Sequence, residues 1–109
     1  MRADSTQGQL EGLLLGVMAD GPAHGYRVIE LLRERSGGAF DLPEGTVYPA
    51  LHRLERDGLL ASAWDSGSGR RRRVYRITER GQGELTGNRE RWRRFSQAVT
   101  DVLGAPAGA

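Results

Sequence analysis

The chain has 109 residues, enough for one domain with one core and little to spare, and it has no cysteine. That excludes disulfides and thiolate metal sites and fits a reducing cytoplasm; no run approaches the ~18 consecutive apolar residues of a membrane span, and the opening MRADSTQGQ is no signal peptide. Net charge is only +2, yet residues 70–94 hold ten arginines against three acids while the rest holds six against eleven, a concentration that points to a polyanionic partner.

Met1 to Gly8 is polar and reads as a flexible N-terminus. From Gln9 to Met18, Leu10, Leu13, Leu14, Val17 and Met18 recur at helical spacing, and Leu15 widens the stripe. A stripe that broad suits contact with both the chain's own core and a second chain, until Asp20-Gly21-Pro22 stops the helix. A second helix is expected over Ala23–Arg35, with Val28, Ile29, Leu31 and Leu32 inward and Ser36-Gly37-Gly38 ending it. His24 has only His52 as a fellow histidine and no acidic cluster at ligand spacing, so capping or packing explains it better than a metal.

Leu42 to Leu60, LPEGTVYPALHRLERDGLL, carries the third helix. Val47, Leu51 and Leu54 share a face at steps of four and three, so that face is buried. The other face shows His52, Arg53 and Arg56, flanked by Thr46 and Tyr48, all hydrogen-bond donors. A short helix with such a face fits a major groove. Pro49 leaves two possibilities: the helix begins near Thr46, whose hydroxyl caps it, or it begins at Glu44 and tolerates proline in its early turns. Asp57-Gly58 ends it.

Leu60–Asp65 alternates and carries Trp64, Ser66-Gly67-Ser68-Gly69 turns, and Arg70–Thr78 alternates again with Tyr75 and Ile77 on one face. This is a β-hairpin whose glycine-rich tip adjoins four consecutive arginines, Arg70 to Arg73. Next to a basic helix, such a run reads as a phosphate-binding element rather than a merely solvated face. Thr78-Glu79 opens a final helix reaching Leu103. Gly81, Gly83 and Gly87 weaken its first half, each by up to ~1 kcal/mol relative to alanine. Leu85, Trp92, Phe95, Val99 and Val102 form a seven-residue repeat with Asn88 as its polar member, a pattern suited to a partner helix.

Helix, helix, helix, hairpin, long helix is a mainly α chain with a small β-hairpin: a winged helix-turn-helix plus a long C-terminal dimerisation helix. The expected division is a flexible segment 1–8, a DNA-binding domain 9–78, a dimerisation helix 79–103 and a flexible tail 104–109. The residues also resemble a family. His24-Gly25-Tyr26, Gly45-Thr46-Val47-Tyr48-Pro49, Leu51-x-Arg53-Leu54-Glu55-x-x-Gly58-Leu59-Leu60, Trp64, and Gly69-Arg70-Arg71 through Tyr75-Arg76-Ile77-Thr78-Glu79-x-Gly81 are similar to PadR-family transcriptional regulators. The likeness spans residues 10–103, and its single C-terminal helix resembles the short-tailed branch, which includes multidrug-binding repressors.

The resemblance implies that Thr46, Tyr48 and Pro49 belong to the recognition helix. It makes Tyr26 a packing position that reaches towards a phosphate, and Arg71, Arg72 and Arg73 the basic wing. Trp92 matches a tryptophan that, in multidrug-binding relatives, pairs with its symmetry mate around a pore for flat aromatic ligands. Val74 departs from the family's tyrosine there. Arg89, Arg91, Arg93 and Arg94 make the surroundings of Trp92 more cationic than such a pore needs, which favours anionic ligands or a dimer core alone.

The sites expected for double-stranded DNA are therefore Tyr26, Thr46, Tyr48, Pro49, His52, Arg53 and Arg70 to Arg73, with Arg53 the candidate for guanine O6 and N7. Trp92, Phe95, Leu14 and Val99 are expected at an effector site or dimer core, and Leu10, Leu13, Leu85 and Val102 at the dimer contact. The expected function is a cytoplasmic homodimeric repressor on a pseudo-palindromic operator, without cofactor or metal, released by an aromatic or anionic small molecule. A constitutive repressor and a winged helix used only for protein contacts are the alternatives. An enzyme is disfavoured: two histidines and no cysteine leave no catalytic set.

Overall fold

The computed structural model describes residues 6–67 and 69–105. Of the flexible ends expected at 1–8 and 104–109, residues 1–5 and 106–109 lie outside the described residues, as does Ser68 of the hairpin turn. Four helices and a three-stranded antiparallel sheet follow in the order α1 (Thr6–Met18), β1 (Ala23–His24), α2 (Gly25–Arg35), α3 (Glu44–Arg56), β2 (Leu60–Asp65), β3 (Arg72–Ile77) and α4 (Glu79–Leu103).

α1 starts earlier than its apolar stripe does, so residues 6–8 form its first turn instead of a frayed lead. Leu14, Leu15 and Met18 are all but fully buried and meet Val28, Ile29 and Leu32 of α2 and the inner face of α3 in one core. α2 begins two residues later than its apolar pattern suggests. Ala23 and His24 instead pair with Tyr75 and Val74, which makes β3 the central strand of a β1-β3-β2 sheet. A two-residue strand is too short to show alternation, so it leaves no periodic trace in the sequence.

The choice left open by Pro49 is resolved in favour of the longer helix. α3 begins at Glu44 with Pro43 as N-cap; the Pro43 carbonyl accepts from the Thr46 and Val47 amides at 3.0 and 3.1 Å, and Pro49 sits inside. Thr46 is therefore not the cap. Gly58, at φ +80°, takes the left-handed turn that releases the chain into β2, which runs against β3 in register from Leu60↔Ile77 to Asp65↔Arg72.

Thr78 fastens the start of α4 to the end of α3. Its hydroxyl donates to the Gly58 carbonyl at 2.7 Å and accepts from the Gly81 amide at 3.0 Å. Gly81 is buried, and a Cβ there would overlap the Leu59 carbonyl oxygen and crowd Ile77. Its helix-weakening cost is thus offset by close packing that no side chain permits. Only Leu85 of α4's apolar repeat is buried in the protomer; Trp92, Phe95, Val99 and Val102 are exposed beyond it. Gly81→Ala, which isolated-helix propensity would favour, is expected to lower stability by about 1–3 kcal/mol through overpacking. Urea unfolding measures this, and an equal or higher midpoint would contradict the packing account.

Candidate nucleic-acid interface

Burial divides α3 cleanly. Val47, Ala50, Leu51 and Leu54 are each at most 1% exposed, so Gly45, Pro49, His52 and Arg56, at steps of four, three and four, line the opposite, exposed face. Thr46 is exposed at one margin of that face and Tyr48 half-buried at the other. Tyr48 is held by α2: a Cβ at Gly25 would stand 2.6 Å from its ring, so the glycine of His24-Gly25-Tyr26 makes room for it. Burial, then the Glu44 carboxylate, then Tyr26 push the Tyr48 hydroxyl above the ordinary tyrosine range. It therefore stays a neutral donor near neutral pH. Tyr26, 53% exposed, stands beside this group.

Arg53 is placed differently from the other expected readers. It is half-buried towards α1, where its Nε lies 3.5 Å from a Glu11 carboxylate oxygen. That separation makes an ion pair, but the geometry is not that of a hydrogen bond, and the Nε is otherwise buried without a hydrogen-bond partner. Arg53 is thus paired within the protomer through its Nε alone. Arg56 is the exposed arginine of the outer face, loosely paired with the adjacent Asp57 at 3.2 Å.

The four wing arginines have different settings. Arg71 and Arg73 lie over the Trp64 ring, their guanidinium carbons 4.7 and 5.3 Å from its centroid, a cation–π arrangement on the hairpin surface. Arg73 also reaches Glu55 of α3 at 3.4 Å, and the same carboxylate oxygen accepts from the Ser62 hydroxyl. Arg72 lies 3.1 Å from His24 Nε2, while His24 Nδ1 accepts from the Arg27 amide at 3.3 Å and caps α2. A neutral imidazole has one acceptor nitrogen, so the ring serves either the cap or Arg72, not both at once. Arg70 has no partner among the described residues. Trp64 and Glu55 were visible in sequence only as motif letters; their work of aiming the arginines depends on the strand register Trp64↔Arg73, which the sequence does not display.

Between α1 and α4, and bordered by the end of α2 and the turn after it, lies a groove of about 500 Å³ lined by Leu13, Val17, Phe40, Asn88, Trp92 and Phe95 among others. Trp92 and Phe95 touch, ring centroids 5.6 Å apart. Leu13 is half-buried at this surface, whereas Leu10, Leu14 and Leu85 are already buried in the protomer core; Leu14, at 0% exposure, has no surface to offer a ligand or a partner. The expectation for Leu14 is corrected accordingly. The cationic surroundings are also partly neutralised. Arg91 pairs with Glu84, and Arg93 and Arg94 clamp Glu90, whose carboxyl the Arg93 hydrogen bond above all lowers to about 2. Arg89 has no partner among the described residues.

Among the described residues there is no group of three or more residues able to hold a metal ion, and no helix is long and apolar enough to cross a membrane. A tri-helical core, a basic β-wing and an outward-facing third helix define a winged helix-turn-helix protein. The model of the transcriptional regulator PadR-like family matches residues 14–87. The chain is 43% identical to the transcriptional regulator Rv3488 of Mycobacterium tuberculosis over 86 residues, 79% of this chain and 75% of that one. Among solved structures it is similar to a PadR family transcription regulator from Clostridium difficile (TM-score 0.79, 31% identity, 89% of this chain and all of that one). A transcriptional regulator from Clostridium thermocellum is similar too, with a TM-score of 0.80 at 25% identity, covering 89% and 95%. The chain belongs to the PadR-like family of transcriptional regulators.

Because Arg53 binds Glu11, Arg53→Ala is expected to cost about 1 kcal/mol of folding stability, the upper end for a partly exposed pair, and to leave the DNA preference unchanged. Denaturation and binding curves on the same preparation measure both; loss of base discrimination at full stability would restore Arg53 as a reader.

Proposed function

We propose that the protein is a homodimeric repressor that places two copies of α3 in successive major grooves of a pseudo-palindromic operator, with each wing on the flanking backbone. The observation that carries this reading is that α3's exposed Thr46, Pro49, His52 and Arg56, with half-buried Tyr48 at their margin, lie next to wing arginines on a neighbouring element. Two-fold symmetry would set the half-sites ~34 Å apart. Arg70 to Arg73 supply sequence-independent affinity, so binding falls steeply with salt. Thr46, Tyr48 and His52, joined by Arg56 in place of Arg53, supply base contacts, and Tyr26 a phosphate contact. A protein-docking module would need an apolar outer face on α3, and this face is polar.

Dimerisation through α4 is supported by the apolar residues it leaves outside the protomer core: Trp92 is 60% exposed, Phe95 38% and Val102 84%. Burying each large ring against a second copy contributes ~1.5–3 kcal/mol. On this reading residues 9–78 are the DNA-binding unit and 79–103 the dimerisation helix. The α1–α4 groove has the size of a small-molecule site. With Trp92 and Phe95 on its wall and Arg89 free beside it, an aromatic or anionic effector is the ligand it suits. Such a ligand releases DNA only by favouring one spacing of the two heads over another.

The test is a titration against fluorescent DNA from the protein's own upstream region, with unrelated DNA as control. Arg71, Arg72 and Arg73 replaced together by alanine are expected to weaken binding alike on all sequences and to lower the salt slope by up to ~3 per subunit. An unchanged slope would show that the wing does not meet phosphates. Trp92→Glu with Phe95→Glu is expected to give monomers in analytical ultracentrifugation and to abolish operator binding at concentrations where the parent is saturated. A dimer that survives both charges would place the interface elsewhere.

A further inference from the structure

Two residues on the outer face of α3, Gly45 and Pro49, are the poorest helix formers of that element. Pro49 is exposed, lies well inside a helix that runs on to Arg56, and has no N–H. The Gly45 carbonyl, one turn before it, therefore lacks its helical donor. Gly45 is exposed as well. Its φ is not in the left-handed region, and a Cβ there would meet no atom within 4 Å. Gly25 and Gly81 differ in kind, since Tyr48 and the Leu59 carbonyl leave them no room for a side chain. Alanine would fit at 45 and at 49 and would favour the helix at both. Gly16 and Gly83 are helical glycines with the same open space, so what sets Gly45 apart is its place one turn before Pro49, on the same exposed strip.

We propose that Gly45 and Pro49 together form a backbone reader of base identity. The carbonyl oxygen that Pro49 leaves free accepts a hydrogen bond from an exocyclic amine in the major groove, adenine N6 or cytosine N4. The missing Cβ at Gly45 lets the backbone come close enough to do so. Guanine and thymine present acceptors along that edge and are rejected, because two acceptors would face each other. Each half-site thus has one position where an amine is required. His52 and Arg56, on the same strip of the helix, contact the neighbouring bases or phosphates. The inference rests on the reading that α3 enters the major groove.

The experiment uses the strongest-binding segment of upstream DNA and a set of derivatives. In these, each adenine of a half-site is replaced in turn by purine, which lacks N6, and each cytosine by 2-pyrimidinone, which lacks N4. The full-length protein is expected to lose about tenfold in affinity at one position, the usual size of a single base contact. Pro49→Ala restores the N–H and occupies the carbonyl. It is expected to lose about tenfold on the unmodified segment, to keep its affinity for unrelated DNA, and to lose nothing further at that one modified position. Gly45→Ala retains Pro49 and the helix path, and is expected to lose affinity through the added methyl alone. Both variants are expected to melt a few degrees higher than the parent, by about 4–8 °C for each kcal/mol gained. Falling affinity with rising stability is a signature that a merely structural role cannot produce. Variants that bind as the parent does, or a Pro49→Ala loss that is the same at every modified position, would overturn the proposal. A parent protein with no preference for any DNA would overturn the reading of α3 itself and the inference with it, an outcome distinct from the other two.

Discussion

Burial of one side of α3 is the constraint on which the rest of the molecule depends. Val47, Ala50, Leu51 and Leu54 close against α1 and α2, and each buried valine or leucine side chain is worth ~1.5–3 kcal/mol. Once that side is committed, helical geometry leaves no freedom about what faces outward. The rotation of α3 is set by its core contacts, its ends by Pro43 and Gly58, and its distance from α4 by the Thr78 hydroxyl on the Gly58 carbonyl.

The charges fall into two kinds. Some are spent within the protomer: Arg53 on Glu11, Arg93 and Arg94 on Glu90, Arg35 on Asp20. Others are held but releasable. Arg71 and Arg73 rest on Trp64 in contacts near the surface where each is worth at most ~1 kcal/mol. Such contacts order a long side chain at little cost to its release. Trp64 and Glu55 thus hold the arginines of the wing at fixed places on the hairpin.

Much of this was legible in the chain. The inner face of α3 followed from steps of three and four; the hairpin and the long α4 followed from alternation, the Gly/Ser turn and the spacing of Leu85, Trp92 and Val99. What stayed hidden depended on contacts between elements. β1 is too short to have a period. Arg53 and Arg56 are indistinguishable by type and lie three residues apart, and only the position of Glu11 on α1 decides which of them is tied down. Leu14 belongs to the same apolar stripe as Leu13, and the packing of α2 and α3 on α1 determines that one is sealed inside and the other left at the groove. Gly81 looked like a weakness in α4 because propensity sees one helix at a time, whereas its use lies in the Leu59 backbone and the Ile77 side chain that approach it.

Hydroxyl-radical footprinting of the protein on its own upstream DNA tests the central claim most directly, because it reports the geometry of two bound α3 helices as well as the fact of binding. A symmetric dimer with wings predicts two protected stretches centred 10–10.5 base pairs apart, on one face of the duplex, with weaker protection of the outer flanking backbone. A single protected stretch without a symmetric partner, or uniform protection without period, would contradict the account.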